Sequence, residues 1–443
     1  MKNWFTQNTS LPGGLVLGGG GARGCYEIGL WKALEEHGIH FGCTAGTSIG
    51  ALVGAMYVQG SLNEMIAFVQ NLKPTHIASD LFAFPETLGQ WVSNRKEIST
   101  FLNKYIFSHK GMDITPLKDS LGDMFDYARF HASPINYACM TFNVTKMAPE
   151  AYFKSDMDEA DAQNIVLASA SCYPAFPVLK MKGAEYIDGG YWDNVPIDLA
   201  VKMGARKILA VNVEGPGLLL PVNTIGLDLF EIKPVLPLGN FLDFSSESGM
   251  KNLEAGYLET SKLLGSLCGF VYSFPMADKD DLDFASLYLD FMFHVSGIVL
   301  TDKTLEGIVR WAIGYHDSDL SRFLLEGTGK GLLLECLAYI AGLDAYREWD
   351  FDAFVHALFE RLRELEGKIS TTAGMFDALR KKELDKAGAT ALFYSVLKNR
   401  PQDKARGELQ PFAAIYPGEM ALAWTWYFLE DVYGNETVYP KSA

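Results

Sequence analysis

The chain has 443 residues, too many for one ordinary core, so two domains or one large domain with a substantial extension are expected. Hydrophobic residues make up 49% and charged residues 21%, the balance of a globular protein rather than a disordered one. A formal net charge of −16 argues against nucleic acid as a partner and against electrostatic docking on anionic lipid, leaving open transient contact with a membrane surface through apolar groups.

The opening "MKNWFTQNTS" lacks the apolar core of a signal peptide, so a cytoplasmic protein is expected. Residues 14–18, "GLVLG", form a short apolar run bounded by glycine, as a buried parallel strand would. After further glycines, "CYEIGLWKALEEHGI" sets Ile28, Trp31 and Leu34 at helical spacing, with Gly38 where a helix would stop. "HFGCTAG" reads as a second strand and "SIGALVGAMYVQG" as a second helix. No residue from Phe41 to Asn63 is charged, which is long enough to suggest a membrane span. Its glycines and hydroxyl residues fit a buried strand, a sharp turn and a small-faced helix better. Strand, helix, strand, helix predicts an α/β fold: a parallel-rich central sheet sandwiched by helices.

Further along, "INYACMTFNVT" and "RKILAVNVEG" read as strands, with "DEADAQNIVLASASC" as a helix between them. "AEYIDGGYWDNVP" is a strand followed by a turn-rich loop. Residues 216–245 are apolar, rich in proline and glycine and poor in helical periodicity, either a cover over a pocket or a packed connection. From about residue 300 the pattern is helical. "FDAFVHALFERLRELEGK" carries Phe351, Phe354, Val355, Leu358, Leu362 and Leu365 on one face. The expected division is an α/β domain over 12–275 and a helical domain of unassigned role over 300–443. Six scattered cysteines without a CxxC pair read as reduced thiols rather than a zinc site.

The glycines after the first strand admit several uses. Gly19, Gly21 and Gly24 satisfy GxGxxG between a strand and a helix, the fingerprint of a dinucleotide site. That fingerprint expects an acid at the end of the next strand, which instead ends in "TAGTSIG". "GTSIG", Gly46 to Gly50, fits GxSxG at a strand-to-helix junction, which would hold Ser48 in a strained turn with its hydroxyl exposed. The same pentapeptide also suits a serine that merely caps its helix. A serine attacking an ester creates an oxyanion that backbone N–H donors must hold, and losing one such donor costs roughly 3–4 kcal/mol. Glycines let the backbone come that close. Arg23 adds charge, holds this loop, or is an ordinary residue at a helix start.

A nucleophilic serine needs a base. None of the eight histidines, His37, His40, His76, His109, His131, His294, His316 and His356, has a recognisable catalytic setting. Asp188 in "YIDGGYWDNVP" closes a predicted strand and precedes Gly189 and Gly190, with Asp193 and Asp198 as rivals. The carboxyl ends of parallel strands are where such sites form, on the same edge as Ser48. An aspartate serves as base only if desolvation raises its pKa.

"GGGGARG", "GTSIG" and "DGG", in this order and spacing, resemble the signature of the patatin-like phospholipase family, especially its bacterial members. "ASASCYPAFP" (Ala168 to Pro177) and "IKPVLPLGNFLDFSSESGMKNLEAGYLET" extend the resemblance over roughly residues 12–270. It implies a Ser–Asp dyad: Ser48 as nucleophile, Asp188 as base, and the backbone around Gly19, Gly20 and Gly21 as oxyanion hole. Arg23, Gly46, Gly50, Gly189 and Gly190 would support them. It further implies hydrolysis of fatty-acyl esters of lipids through an acyl-enzyme, with no metal or other cofactor. Two other readings stand beside it. One is an α/β-hydrolase-type carboxylesterase using Ser48, Asp188 and His294, although that fold places several strands before its nucleophile. The other is a lipid-binding or regulatory protein that is not an enzyme. The helical C-terminal part is expected to position the lipid or a partner.

Overall fold

The structure, a computed structural model, describes residue 4 and residues 13–79, 111–315, 329–369 and 372–434. His109 and His316 lie outside the described residues. The chain forms two compact units, one of Met1–Pro234 with Leu238–Thr260 and one of Val235–Pro237 with Ser261–Ala443.

The first unit is built on an eight-stranded sheet: β1 (Gly13–Leu17), β2 (Cys43–Thr47), β3 (Asn136–Asn143), β4 (Ala148–Phe153), β5 (Leu179–Met181), β6 (Ala184–Asp188), β7 (Lys207–Val211) and β8 (Asp228–Ile232). The order is β5-β6-β3-β2-β1-β7-β8, with β4 also paired to β3. Strands β3, β2, β1, β7 and β8 are mutually parallel. Leu15, Val16 and Leu17 are all buried, which is why β1 reads as an unbroken apolar run rather than an alternating one. On one face Val16, Ala45, Ala138 and Ala210 pack with Leu199 and Ala200 of the helix Ile197–Lys202. Tyr137, the neighbour of Ala138, points to the other face and donates its hydroxyl to Ala51 O at 2.9 Å. Ala51 lies on the helix Ile49–Gln59, so helices cover both faces as predicted. The helix Cys25–Glu36 stops where expected, with Gly38 at φ +64° and Ile39 N–H closing onto Leu34 O at 2.9 Å.

Three further pairings within this parallel-rich sheet are antiparallel: β4 with β3, β6 with β3, and β5 with β6. Residues 138–140 of β3 pair with β2 and with β4 at once, so those strands occupy opposite edges of β3. Residues 141–143 pair with β4 and with β6, which places β6 on the edge that β2 uses. Thr47 pairs with Met140 and Asp188 with Thr141. β2 and β6 therefore run towards each other along one edge of β3, and their carboxyl ends meet. This corrects the expectation that Asp188 would close a strand parallel to β2. β8 lies in the 216–245 stretch that was expected to be a cover or a packed connection, and no strand was expected there.

The second unit is helical. Phe293, Leu333, Phe354, Phe393 and Phe428 share its core. On the helix Phe351–Gly367, Phe351, Phe354, Val355, Leu358 and Leu362 are buried as their spacing predicts, and Leu365 is partly buried. The helix Lys279–Val295 was not anticipated. No described helix is long and apolar enough to cross a membrane.

Candidate active site

β2 ends at Thr47 and the next helix begins at Ile49, which leaves Ser48 at φ 57°, ψ −127°. A non-glycine residue in this region carries strain of order 1–3 kcal/mol and persists only where its surroundings enforce it. They do so here by hydrogen bonds. Ser48 N–H donates to Ser169 Oγ at 3.0 Å, and the Ser169 hydroxyl donates to Met140 O at 2.7 Å. The Thr47 hydroxyl donates to Asp193 O at 2.8 Å. The flanking glycines are required by close approach: a Cβ on Gly46 would stand 2.3 Å from Gly50 O, and one on Gly50 2.3 Å from Leu17 O.

Asp188 ends β6 and caps the 3-10 turn Gly189–Tyr191, its Oδ1 accepting Gly190 N–H at 2.8 Å. Asp188 N–H donates to Ser171 O at 2.9 Å, and Gly189 lies against Met140 O. The Ser48 side chain lies near enough to the Asp188 carboxylate to pull its pKa down, and both residues line one cavity. Burial pushes Asp188 up to about 6, against the pull of the Ser48 and Gly190 hydrogen bonds. Asp188 is thus ionised at neutral pH yet far more basic than an exposed aspartate.

The glycine loop is held on both sides. Asn194 takes Gly19 N–H on its backbone oxygen at 3.0 Å and donates from Nδ2 to Gly19 O at 2.9 Å. Gly19 N–H is therefore spoken for. Gly20 and Gly21 N–H have no acceptor among the described residues, and both glycines line the cavity that holds Ser48 and Asp188. Gly21 adopts φ +57°, and a Cβ there would stand 2.2 Å from Phe241 O. Arg23 holds the loop from outside, donating from Nε to Gly239 O at 2.8 Å and from Nη1 to Glu214 O.

The cavity measures about 500 Å³, and its walls are largely apolar, with Ile49, Leu52, Ile77, Leu117, Phe176 and Phe244 among them. A second cavity of about 60 Å³ shares Ile49, Leu52, Ile77, Leu117 and Phe244 and is bounded beyond them by Met56, Met65, Phe68 and Val69. Cys172 also lines the larger cavity, but burial lifts its thiol to about 12, so it stays protonated at neutral pH. No described histidine lines it, and His294 is exposed on the helix Lys279–Val295. Asp193 and Asp198 do not line it either. Among the described residues no group of His, Cys, Asp or Glu is arranged to hold a metal ion.

Sequence reasoning missed Ser169 and Asn194. Ser169 is a fully buried hydroxyl at the end of a helix whose other buried residues are all apolar, and Asn194 a buried amide two residues before a proline. Polar residues in such places were the available signal.

The patatin-like phospholipase family model matches residues 15–201, which contain Ser48, Asp188 and the glycine loop. Lysophospholipase NTE1 of Mycosarcoma maydis is 33% identical over 201 residues, covering 45% of this chain and 10% of that protein. Lysophospholipase NTE1 of Scheffersomyces stipitis is 29% identical over 210 residues, covering 47% of this chain and 12% of its own length. The chain thus spans only about a tenth of the length of these relatives. Among solved structures, VipD from Legionella pneumophila aligns over 98% of this chain and 93% of its own with 13% identity and a TM-score of 0.37, a likeness too loose to carry an argument.

Proposed function

We propose that the protein is a lipid acyl hydrolase in which Ser48 and Asp188 act as a catalytic dyad, a reading supported by the match of residues 15–201 to the patatin-like phospholipase family model. The observation that carries this reading is Ser48, strained at the start of its helix, facing with Asp188 into one largely apolar cavity, where burial raises the carboxylate to about 6.

The steps follow from that arrangement. As Ser48 Oγ attacks the ester carbonyl carbon, its proton passes to Asp188. General base assistance of this kind contributes typically 10²–10⁴-fold. The carbonyl oxygen becomes an oxyanion, held by Gly20 and Gly21 N–H. Collapse of the tetrahedral intermediate expels the alcohol, which takes the proton back from Asp188. Water then attacks the acyl-enzyme, Asp188 again accepting a proton, and Ser48 leaves with it as the fatty acid forms. No histidine is needed at any step.

The acyl chain lies along the apolar cavity with its distal end towards the smaller chamber, and the alcohol part faces the mouth. Lysophospholipids are the substrate class favoured by the names of the relatives. The protein works in the cytoplasm and touches a membrane surface transiently to take up lipid. The test is fatty-acid release from phospholipids, lysophospholipids, triacylglycerols and short soluble esters, with wild type beside Ser48→Ala. Serine-dependent release from lipid is expected. Release that persists in Ser48→Ala would refute the dyad.

A further inference from the structure

Two exposed apolar side chains, Tyr191 and Leu218, line the cavity, and three more, Trp192, Leu219 and Leu220, adjoin them in the chain without a part in the chemistry above. Leu218 is 59% exposed, Leu219 58%, Leu220 36%, Tyr191 42% and Trp192 39%. They are held in place by backbone pairing: Leu218 N–H donates to Gly190 O at 2.9 Å, and Asn194 N–H to Leu218 O at 2.6 Å. The strap at 216–220 is thereby tied to the turn that follows Asp188. Tyr191 and Leu218 belong to both surfaces, lining the cavity while remaining open to solvent. Single exposed leucines are ordinary, but five large apolar residues on two tied segments, two of them lining the cavity, make a patch of the kind that marks a contact site.

The charge of the patch selects its partner. "GPGLLL" at 215–220 and "GGYW" at 189–192 contain no charged residue, and the chain as a whole carries −16. Attraction to anionic lipid is therefore absent. Leucines accompanied by Tyr and Trp are suited to the boundary between head groups and acyl chains, where one end of the ring is wet and the other dry. The patch is also continuous with the walls of the cavity that would receive the acyl chain.

We propose that Tyr191, Trp192 and Leu218 to Leu220 form a rim that seats the cavity mouth on a zwitterionic lipid surface, so that a lipid reaches Ser48 without crossing water. The proposal rests on the acyl-hydrolase reading, since it supplies that site with its substrate. Trp192, Leu219 and Leu220 do not line the cavity, which makes them the positions to change.

The experiment uses the full chain carrying Ser48→Ala, so that lipid is not consumed, and sediments it with phosphatidylcholine vesicles. Adding Trp192→Ala and Leu219→Ser should lower the partition coefficient at least tenfold, since each apolar side chain withdrawn from lipid is worth about tenfold or more. Leu219→Asp alone, at an exposed position, should do the same without truncating an aromatic ring. With Ser48 restored, these variants should lose turnover on phosphatidylcholine vesicles while kcat/KM on a short soluble ester stays within about twofold. Unchanged vesicle binding in both variants would overturn the rim. So would an unaltered chain that ignores vesicles but forms a dimer which Leu219→Asp dissolves, because the patch would then serve a second copy. Vesicle binding that depends on the rim, with no turnover of any ester, would support the rim and sink the hydrolase reading instead.

Discussion

Ser48 and Asp188 stand at the facing ends of two strands that run towards each other along one edge of β3, with Thr47 opposite Met140 and Asp188 opposite Thr141. Adjacent rungs of one strand thus set the hydroxyl beside the carboxylate. Because Ser169 bridges Ser48 N–H to Met140 O, the same rung also fixes the serine's backbone.

The raised Asp188 pKa makes a stability prediction. Its folded value of about 6 lies above the ordinary aspartate value of 3.8, so the carboxyl favours folding while protonated. That contribution is complete below about pH 4 and is lost as pH rises through about 6. At pH 8 the ionised, buried group costs the fold about 3 kcal/mol relative to its protonated form. Asp188→Asn should therefore raise the thermal midpoint at pH 8 and change it little at pH 4, even as it abolishes turnover. Calorimetry at the two pH values checks this, and equal shifts at both would contradict it.

The same group sets the pH profile. As the base must be ionised, kcat/KM should fall tenfold per unit below about pH 6 and level off above it. A soluble ester is the right substrate, because it removes any effect of pH on lipid surfaces. A limb centred near pH 7 or above that vanishes in a histidine variant would assign the base elsewhere.

Asn194 holds both Gly19 N–H and Gly19 O, which fixes the loop whose next two residues, Gly20 and Gly21, line the cavity. Asn194→Ala should lower kcat roughly 10–100-fold, within the range for disturbing an oxyanion donor, with KM little changed. It also leaves Gly19 O without its buried donor, at a cost of about 1–3 kcal/mol in stability. A loss confined to KM would assign Asn194 to substrate binding.

Chain length should be read in the small chamber behind Leu52. Val69→Phe fills it and should move the preferred acyl chain shorter, whereas Met56→Ala enlarges it and should move the preference longer. Each methylene gained or lost is worth about fourfold in kcat/KM, from about 0.8 kcal/mol per buried CH2. A series of fatty-acyl esters of one alcohol gives the profile. Identical profiles for both variants would place the acyl chain elsewhere.

The glycine loop, the GTSIG junction and the DGG turn were legible because each is a local demand on the backbone, written in glycines. Gly38 and the stripe from Phe351 to Leu362 were legible for the same reason, as a helix stop and a helical period. The meeting of β2 with β6 was not, since pairing on a shared edge of β3 is a tertiary fact that no spacing encodes. One local signal went unread. Lys182 and Gly183 both adopt positive φ, 48° and 75°, between Met181 and Ala184, a two-residue hairpin turn that joins β5 to β6. β8 stayed hidden because its five residues, "DLFEI", sit among prolines and glycines. Ser169 and Asn194 act on backbone atoms distant in sequence, so only the fold reveals what they hold.

The most direct test is a double-mutant cycle on a soluble ester, with kcat/KM measured for wild type, Ser48→Ala, Asp188→Asn and the pair. Residues that act as one unit give losses that do not add. The dyad predicts that each single change removes nearly all activity and that the double variant is no worse than either. Near-normal turnover by Asp188→Asn, or losses that multiply in the double variant, would contradict it.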